Sequence, residues 1–135
     1  MIVVRDPESI ERVWDPAIRE LLSARLAMLG EEEPYDPSVS GYFIVLEPGD
    51  QHLELDRQLG FPVLSNRWDG STFGEPGFAP STEILEEYPT CYDLVFILSD
   101  DGYGVEIFVP KQPGVDDRLL ALCEQFARPA PARAI

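Results

Sequence analysis

A chain of 135 residues with 44% hydrophobic content is sized for one domain with one core. Its formal charge of −15 excludes a surface built to hold nucleic-acid phosphates or anionic lipid, because both would be repelled. No run approaches the roughly 18 consecutive apolar residues of a membrane helix, and the start lacks an apolar segment behind a basic one, so the expectation is a cytoplasmic protein without a membrane segment.

The charge is unevenly spread. Residues 31–110 hold seventeen acids against Arg57 and Arg67, and the two ends are close to neutral. The charged fraction of 26% is ordinary, so the anomaly is missing base rather than abundant charge. Such a surface keeps a chain soluble, and it also attracts a basic protein. The two cysteines, Cys91 and Cys123, stand far apart and form no Cys-x-x-Cys pair, which predicts free, partly buried thiols in a reducing cytosol.

Taken in chain order, residues 2–4 are short and apolar, as suits an edge strand, and Asp6-Pro7 ends them. Residues 7–14 can make one or two helical turns. Asp15-Pro16 is a stronger start, an N-cap residue followed by a proline at the first helical position. Ile18, Leu21, Leu22, Leu26 and Leu29 then recur at helical spacing until Gly30, predicting a core-packed helix over 15–29. Residues 31–37 read as an acidic, proline-punctuated linker. The apolar run 42–46 predicts a buried central strand. Residues 50–59 alternate like a strand, yet Gly60-Phe61-Pro62 resembles a helix stop, and a short helix is the reading adopted.

Residues 61–80 carry many glycines and prolines without a period, an unusually long loop for a compact domain. Residues 82–88 predict a strand that turns back at Pro89. Residues 92–110 are the strongest β signal, two β-branched and aromatic runs around Asp101-Gly102, a pair suited to a two-residue turn. That turn sets Leu98 opposite Val105, Phe96 opposite Ile107 and Leu94 opposite Val109 as a core face; the other face, with Val95, Ile97, Glu106 and Phe108, reads as half-covered. Val115, Leu119, Leu122, Cys123 and Phe126 mark a final helix over 116–127. The expected fold is a single α+β domain over 1–128: an antiparallel or mixed sheet of four to five strands, two main helices packed on one face in two layers, and a flexible tail at 129–135.

The sequence names few reactive groups. His52 is the one histidine, and the expectation is an ordinary exposed residue; no metal-ligand spacing, phosphate loop or nucleophile motif accompanies it, so no cofactor or metal is implied and no catalytic residue is assigned. Asp100-Asp101 has a sufficient role in a turn. The loop holding Arg67, Trp68, Asp69, Ser71, Thr72, Phe73 and Glu75 is the best binding candidate, because aromatic, guanidinium and hydrogen-bonding groups there suit an interface or a small pocket. The competing role for Trp68 and Phe73 is to plug the core. Glu83, Glu86 and Glu87 extend the candidate as acidic docking residues. No stretch carries enough of a known motif to assign a family. The expectation is a non-enzymatic acidic protein that binds a basic protein, in the manner of an immunity or anti-restriction inhibitor imitating phosphate charge. The alternatives are a small-molecule-binding protein or carboxylate-dependent enzyme with its pocket under residues 66–75, or acidity serving solubility alone.

Overall fold

The computed structural model describes residues 1–65, 81–99 and 103–129, with residues 65 and 81–85 described by their backbone alone. The chain opens with strand β1 (Ile2–Val4) and a one-turn helix α1 (Pro7–Ile10), capped by Asp6. Helix α2 (Pro16–Leu29) starts where the Asp15 carboxylate accepts from the Ala17 N–H at 2.9 Å, and it buries Ile18, Leu22 and Leu26. Within the acidic linker, Asp36 caps another single turn, α3 (Pro37–Ser40), which leads directly into strand β2 (Gly41–Val45). Helix α4 (His52–Leu59) confirms the helical reading of that segment and ends on Gly60 at φ 85°, a left-handed cap that glycine adopts without steric cost. After a 3-10 turn at Val63–Ser65 come strands β3 (Ser81–Glu87), β4 (Cys91–Ile97) and β5 (Gly104–Pro110), helix α5 (Asp117–Phe126) and a two-residue strand β6 (Arg128–Pro129).

The strands form one mixed sheet in the order β1-β2-β5-β4-β3-β6. β2 runs parallel to β5 and β3 parallel to β6, whereas the other pairings are antiparallel. The α+β class is as expected, but six strands replace the expected four to five. The unforeseen one is β6, too short to carry a sequence pattern, which lies beside Glu86 and Glu87. Residues 130–135 of the expected tail lie outside the described residues.

The two-layer arrangement with both helices on one face is corrected as well. On one face Ile2, Val4, Phe43, Val45, Cys91 and Phe108 pack with Ile18, Leu22 and Leu26 of α2. On the other, Ile44, Leu94, Phe96, Ile107 and Val109 pack with Leu55 of α4 and with Leu119 and Cys123 of α5. Helices therefore cover both faces, giving three layers. The physical reason is that strand positions of both parities are apolar, so a second face left to water would expose side chains worth about 1.5–3 kcal/mol each when buried.

The β4–β5 register is offset by two residues from the expected one: Leu94 faces Ile107, Phe96 faces Val105 and Ile97 faces Gly104. The Leu98 N–H donates to the Tyr103 carbonyl at 2.8 Å, in line with the same register, and the expected Asp101-Gly102 turn lies outside the described residues. An even offset preserves which side chains face which layer, and the predicted core face survives intact. Gly104 explains the offset, since a Cβ there would lie 2.6 Å from the Phe96 carbonyl oxygen and the close strand approach needs glycine.

Both cysteines are free and buried, and burial pushes each thiol up to about 12, leaving them protonated and unreactive near neutral pH.

Candidate functional site

Three charged residues interrupt the apolar layer between α2 and the sheet. Arg25 belongs to the sheet-facing stripe of α2, seven residues after Ile18 and three after Leu22. Asp93 on β4 faces Phe108, and Glu106 on β5 faces Val95, which makes the two carboxyls diagonal neighbours on one sheet face. The Arg25 Nε lies 3.3 Å from both carboxylate oxygens of Glu106, and its Nη2 lies 3.5 Å from Oδ2 of Asp93. Asp93 is 1% exposed, its carboxyl enclosed by the Arg25 guanidinium and the neighbouring Glu106.

One guanidinium balances one carboxylate, not two. Burial, reinforced by the adjacent Glu106 and opposed by Arg25, raises the Asp93 carboxyl far above the usual carboxylate range, so it keeps its proton at neutral pH. Burial alone would lower the Arg25 pKa, but the facing Glu106, Tyr88 and Asp93 outweigh it and hold the guanidinium charged. At the edge of the cluster the Tyr88 hydroxyl donates to Glu86 Oε2 at 3.2 Å.

Arg25, Glu86, Asp93 and Glu106 line a cavity of about 370 Å³. Its walls are otherwise mainly apolar: Met28 and Leu29 at the end of α2, Phe43 on β2, and Val95 and Ile97 on β4. Gly41 and Gly104, paired across the β2–β5 ladder, contribute backbone to the wall where side chains would fill it. An apolar cavity with a few convergent polar groups, one of them strongly perturbed, is the general form of a small-ligand site.

The raised Asp93 carboxyl has a consequence for stability. The folded chain holds this proton where the unfolded chain has released it, so the contribution is complete below the unfolded value of about 3.9 and is lost as pH rises toward the raised folded value. Replacing Asp93 by Asn abolishes that dependence. The Asn variant should gain on the parent by up to about 1.4 kcal/mol per pH unit between about pH 5 and about pH 8. Denaturant titrations at several pH values measure this, and parallel curves for the two proteins would show that Asp93 is ionised throughout.

A second polar junction joins α4 to α5. Asp116 caps α5, with Oδ1 accepting from the N–H groups of Arg118 and Leu119 at 2.9 and 3.0 Å; its Oδ2 accepts from the His52 N–H at 2.6 Å and lies 2.7 Å from His52 Nδ1. These hydrogen bonds, together with the His52 ring, hold the Asp116 carboxyl below its ordinary value against the effect of burial. His52 is therefore half-buried and engaged, not the exposed residue expected. The arrangement is a shared cap. Asp116→Ala should cost about 2 kcal/mol by orphaning two helix starts together, measurable by thermal or chemical denaturation. A loss confined to a few tenths would mean that water replaces the carboxylate.

Of the residues singled out from sequence, Arg67, Trp68, Asp69, Ser71, Thr72, Phe73 and Glu75 lie outside the described residues, as do Asp100 and Asp101. Glu83 is described by its backbone alone. Glu86 and Glu87 are not one acidic patch: Glu86 faces Asp93 across the ladder and lines the cavity, while Glu87 faces Tyr92 and accepts from Lys111 Nζ at 2.7 Å. The sequence reading missed Arg25, Asp93 and Glu106. The signal available for each was the same, a charge at the core-facing period of an otherwise apolar element. Among the described residues no group of three or more His, Cys, Asp or Glu is placed to hold a metal ion. None of their helices is long and apolar enough to cross a membrane.

No protein-family model matches the chain, and no solved structure matches it. Over 90 residues the chain is 30% identical to a stretch of a protein from Caenorhabditis elegans described as a probable cation-transporting ATPase, catp-6. The match covers 61% of this chain but 7% of that protein, so the similarity is to a small part of a much longer polypeptide.

Proposed function

We propose that the chain is a non-enzymatic binding protein for a small ligand, which lies in the cavity between α2 and the sheet. The apolar part of the ligand would rest on Met28, Phe43, Val95 and Ile97, and its polar part would face the charged side formed by Arg25, Glu86 and Glu106. The observation that carries this reading is the cavity itself, of about 370 Å³, with a mainly apolar wall and Arg25, Glu86, Asp93 and Glu106 gathered along one side. A protonated carboxyl beside a carboxylate also has the makings of an acid–base pair. Arg25, however, engages both oxygens of Glu106, which favours holding a ligand over abstracting a proton from one.

The test is a nuclear magnetic resonance screen of small amphiphilic molecules, read at the Val95 and Ile97 methyl groups, with a Val95→Phe variant that fills the cavity as the comparison. Ligands should shift these signals in the parent and leave the variant unmoved. A screen in which every hit survives the filling substitution would place binding elsewhere.

A second reading, docking of a basic protein, is favoured by the −15 charge and by the exposed run Glu31, Glu32 and Glu33. An inhibitor that imitates phosphate charge is its concrete form. Its expected result is association with a basic partner that weakens at high salt and on neutralising that run, as exposed electrostatics require.

A further inference from the structure

We infer that the cavity takes an uncharged ligand, a compact apolar body carrying one hydrogen-bond donor such as a hydroxyl or a primary amide, and discriminates against ions of either sign. This rests on the cavity being the binding site and adds the chemistry of the head group. What decides it is that the charges along the cavity are already matched to one another. The Arg25 guanidinium fills the space between two carboxyls, its Nε 3.3 Å from both oxygens of Glu106 and its Nη2 3.5 Å from Oδ2 of Asp93. Asp93, 1% exposed, is enclosed behind that pair and offers nothing to an occupant. Among the described residues Arg25 is the one basic group of the lining, so no cation remains free to receive an anion. The remaining charge is Glu86, half-buried and accepting from the Tyr88 hydroxyl at 3.2 Å.

An anionic head would stand beside Glu86 and Glu106 with a guanidinium committed elsewhere. A cationic head would find Glu86, whose attraction water screens, and would exchange its own hydration for a wall made mainly of Met28, Leu29, Phe43, Val95 and Ile97. A solvent-reached ion pair contributes little and removing an ion from water costs much, so each ion is the weaker ligand. A neutral donor escapes that penalty. An ionised carboxyl has about four acceptor positions, so Glu106 or Glu86 can accept an O–H or N–H from the ligand and still hold Arg25 or Tyr88. The apolar body lies against the opposite wall, and a volume of about 370 Å³, at the small end of ligand pockets, suits a single ring or a short chain.

Benzyl alcohol, benzylamine, benzoate and benzyl methyl ether offer the same ring to the apolar wall and differ in the head, which is in turn a neutral donor, a cation, an anion and a neutral group without a donor. Each is titrated into the intact chain near neutral pH and followed at the Val95 and Ile97 methyl signals. Benzyl alcohol should bind about tenfold more tightly than either ion and about fivefold more tightly than the ether, and added salt should leave its affinity unchanged. Tightest binding by benzylamine or by benzoate would overturn the inference and leave the cavity standing as the site. Equal binding of the alcohol and its ether would overturn the donor assignment. Failure of all these probes to move the two methyl signals would overturn the cavity reading and this inference with it. The comparison uses the parent chain throughout, so a poorly folding substitution does not obstruct the result.

Discussion

Gly41→Ala should be the most damaging single-atom-scale change in the chain, lowering stability by about 3 kcal/mol or more. Gly41 opens β2 at φ 96°, a conformation that L side chains rarely adopt, and a Cβ there would stand 1.7 Å from the Gly104 carbonyl oxygen. The neighbouring group is backbone, so no side chain can swing aside. Moving it would pull apart the Gly41–Gly104 end of the parallel β2–β5 ladder. The Gly41 carbonyl is further pinned by the Tyr35 hydroxyl, which donates to it at 2.6 Å, and burial pushes that phenol up to about 12. Equilibrium denaturation of the two proteins decides the matter, and a loss below about 1 kcal/mol would mean that the two strands separate easily at this end.

Arg25→Met should cost about 2–3 kcal/mol at neutral pH and much less at about pH 4. The methionine keeps most of the apolar stem, so what is lost is the guanidinium. Without it Asp93 and Glu106 are two buried carboxyls with no countercharge. Removing one partner of a fully buried pair typically costs about 3–5 kcal/mol, and Arg25, with a side chain 26% exposed, belongs below that range. The sign follows from the protonation state. In acid Asp93 is neutral and needs no cation, whereas rising pH demands charge on a group that water does not reach. A loss that is the same at both pH values would make Arg25 a packing residue and remove its electrostatic role. Arg25→Lys should fall between, because an ammonium supplies charge without the fork that spans both carboxyls.

Much of the fold could be read from local chemistry. Asp15-Pro16 announced α2, the apolar spacing from Val115 to Phe126 announced α5, Gly60 announced the end of α4, and alternation along residues 92–110 sorted the β4 and β5 side chains correctly between faces. What escaped was information held between elements. The register of β4 on β5 depends on where Gly104 meets Phe96 and Gly41, a three-strand contact that a hairpin rule cannot contain. The placement of helices on both faces depends on β2 pairing with β5, far away in sequence. The site escaped for a related reason. Arg25, Asp93 and Glu106 lie on three elements, and each alone is one charge in an apolar pattern; only the fold brings them to one wall. The acidic surplus was legible as a quantity, yet Glu86 and Glu87, adjacent in sequence, are sent to opposite faces of the sheet.

The strand order also has a kinetic meaning. The antiparallel pairings β1 with β2, and β4 with β3 and β5, lie within separate stretches of the chain, and the ladder from Gly41 to Val45 against Gly104 to Phe108 stitches those stretches together. Long-range parallel pairing of this kind is expected to form late, after the loop-closure entropy has been overcome. The cavity straddles that seam, with Arg25, Met28 and Phe43 on one side and Asp93, Val95 and Glu106 on the other. An occupant gripped from both sides holds the halves together only once they have met, so it should slow unfolding and leave the folding rate unchanged.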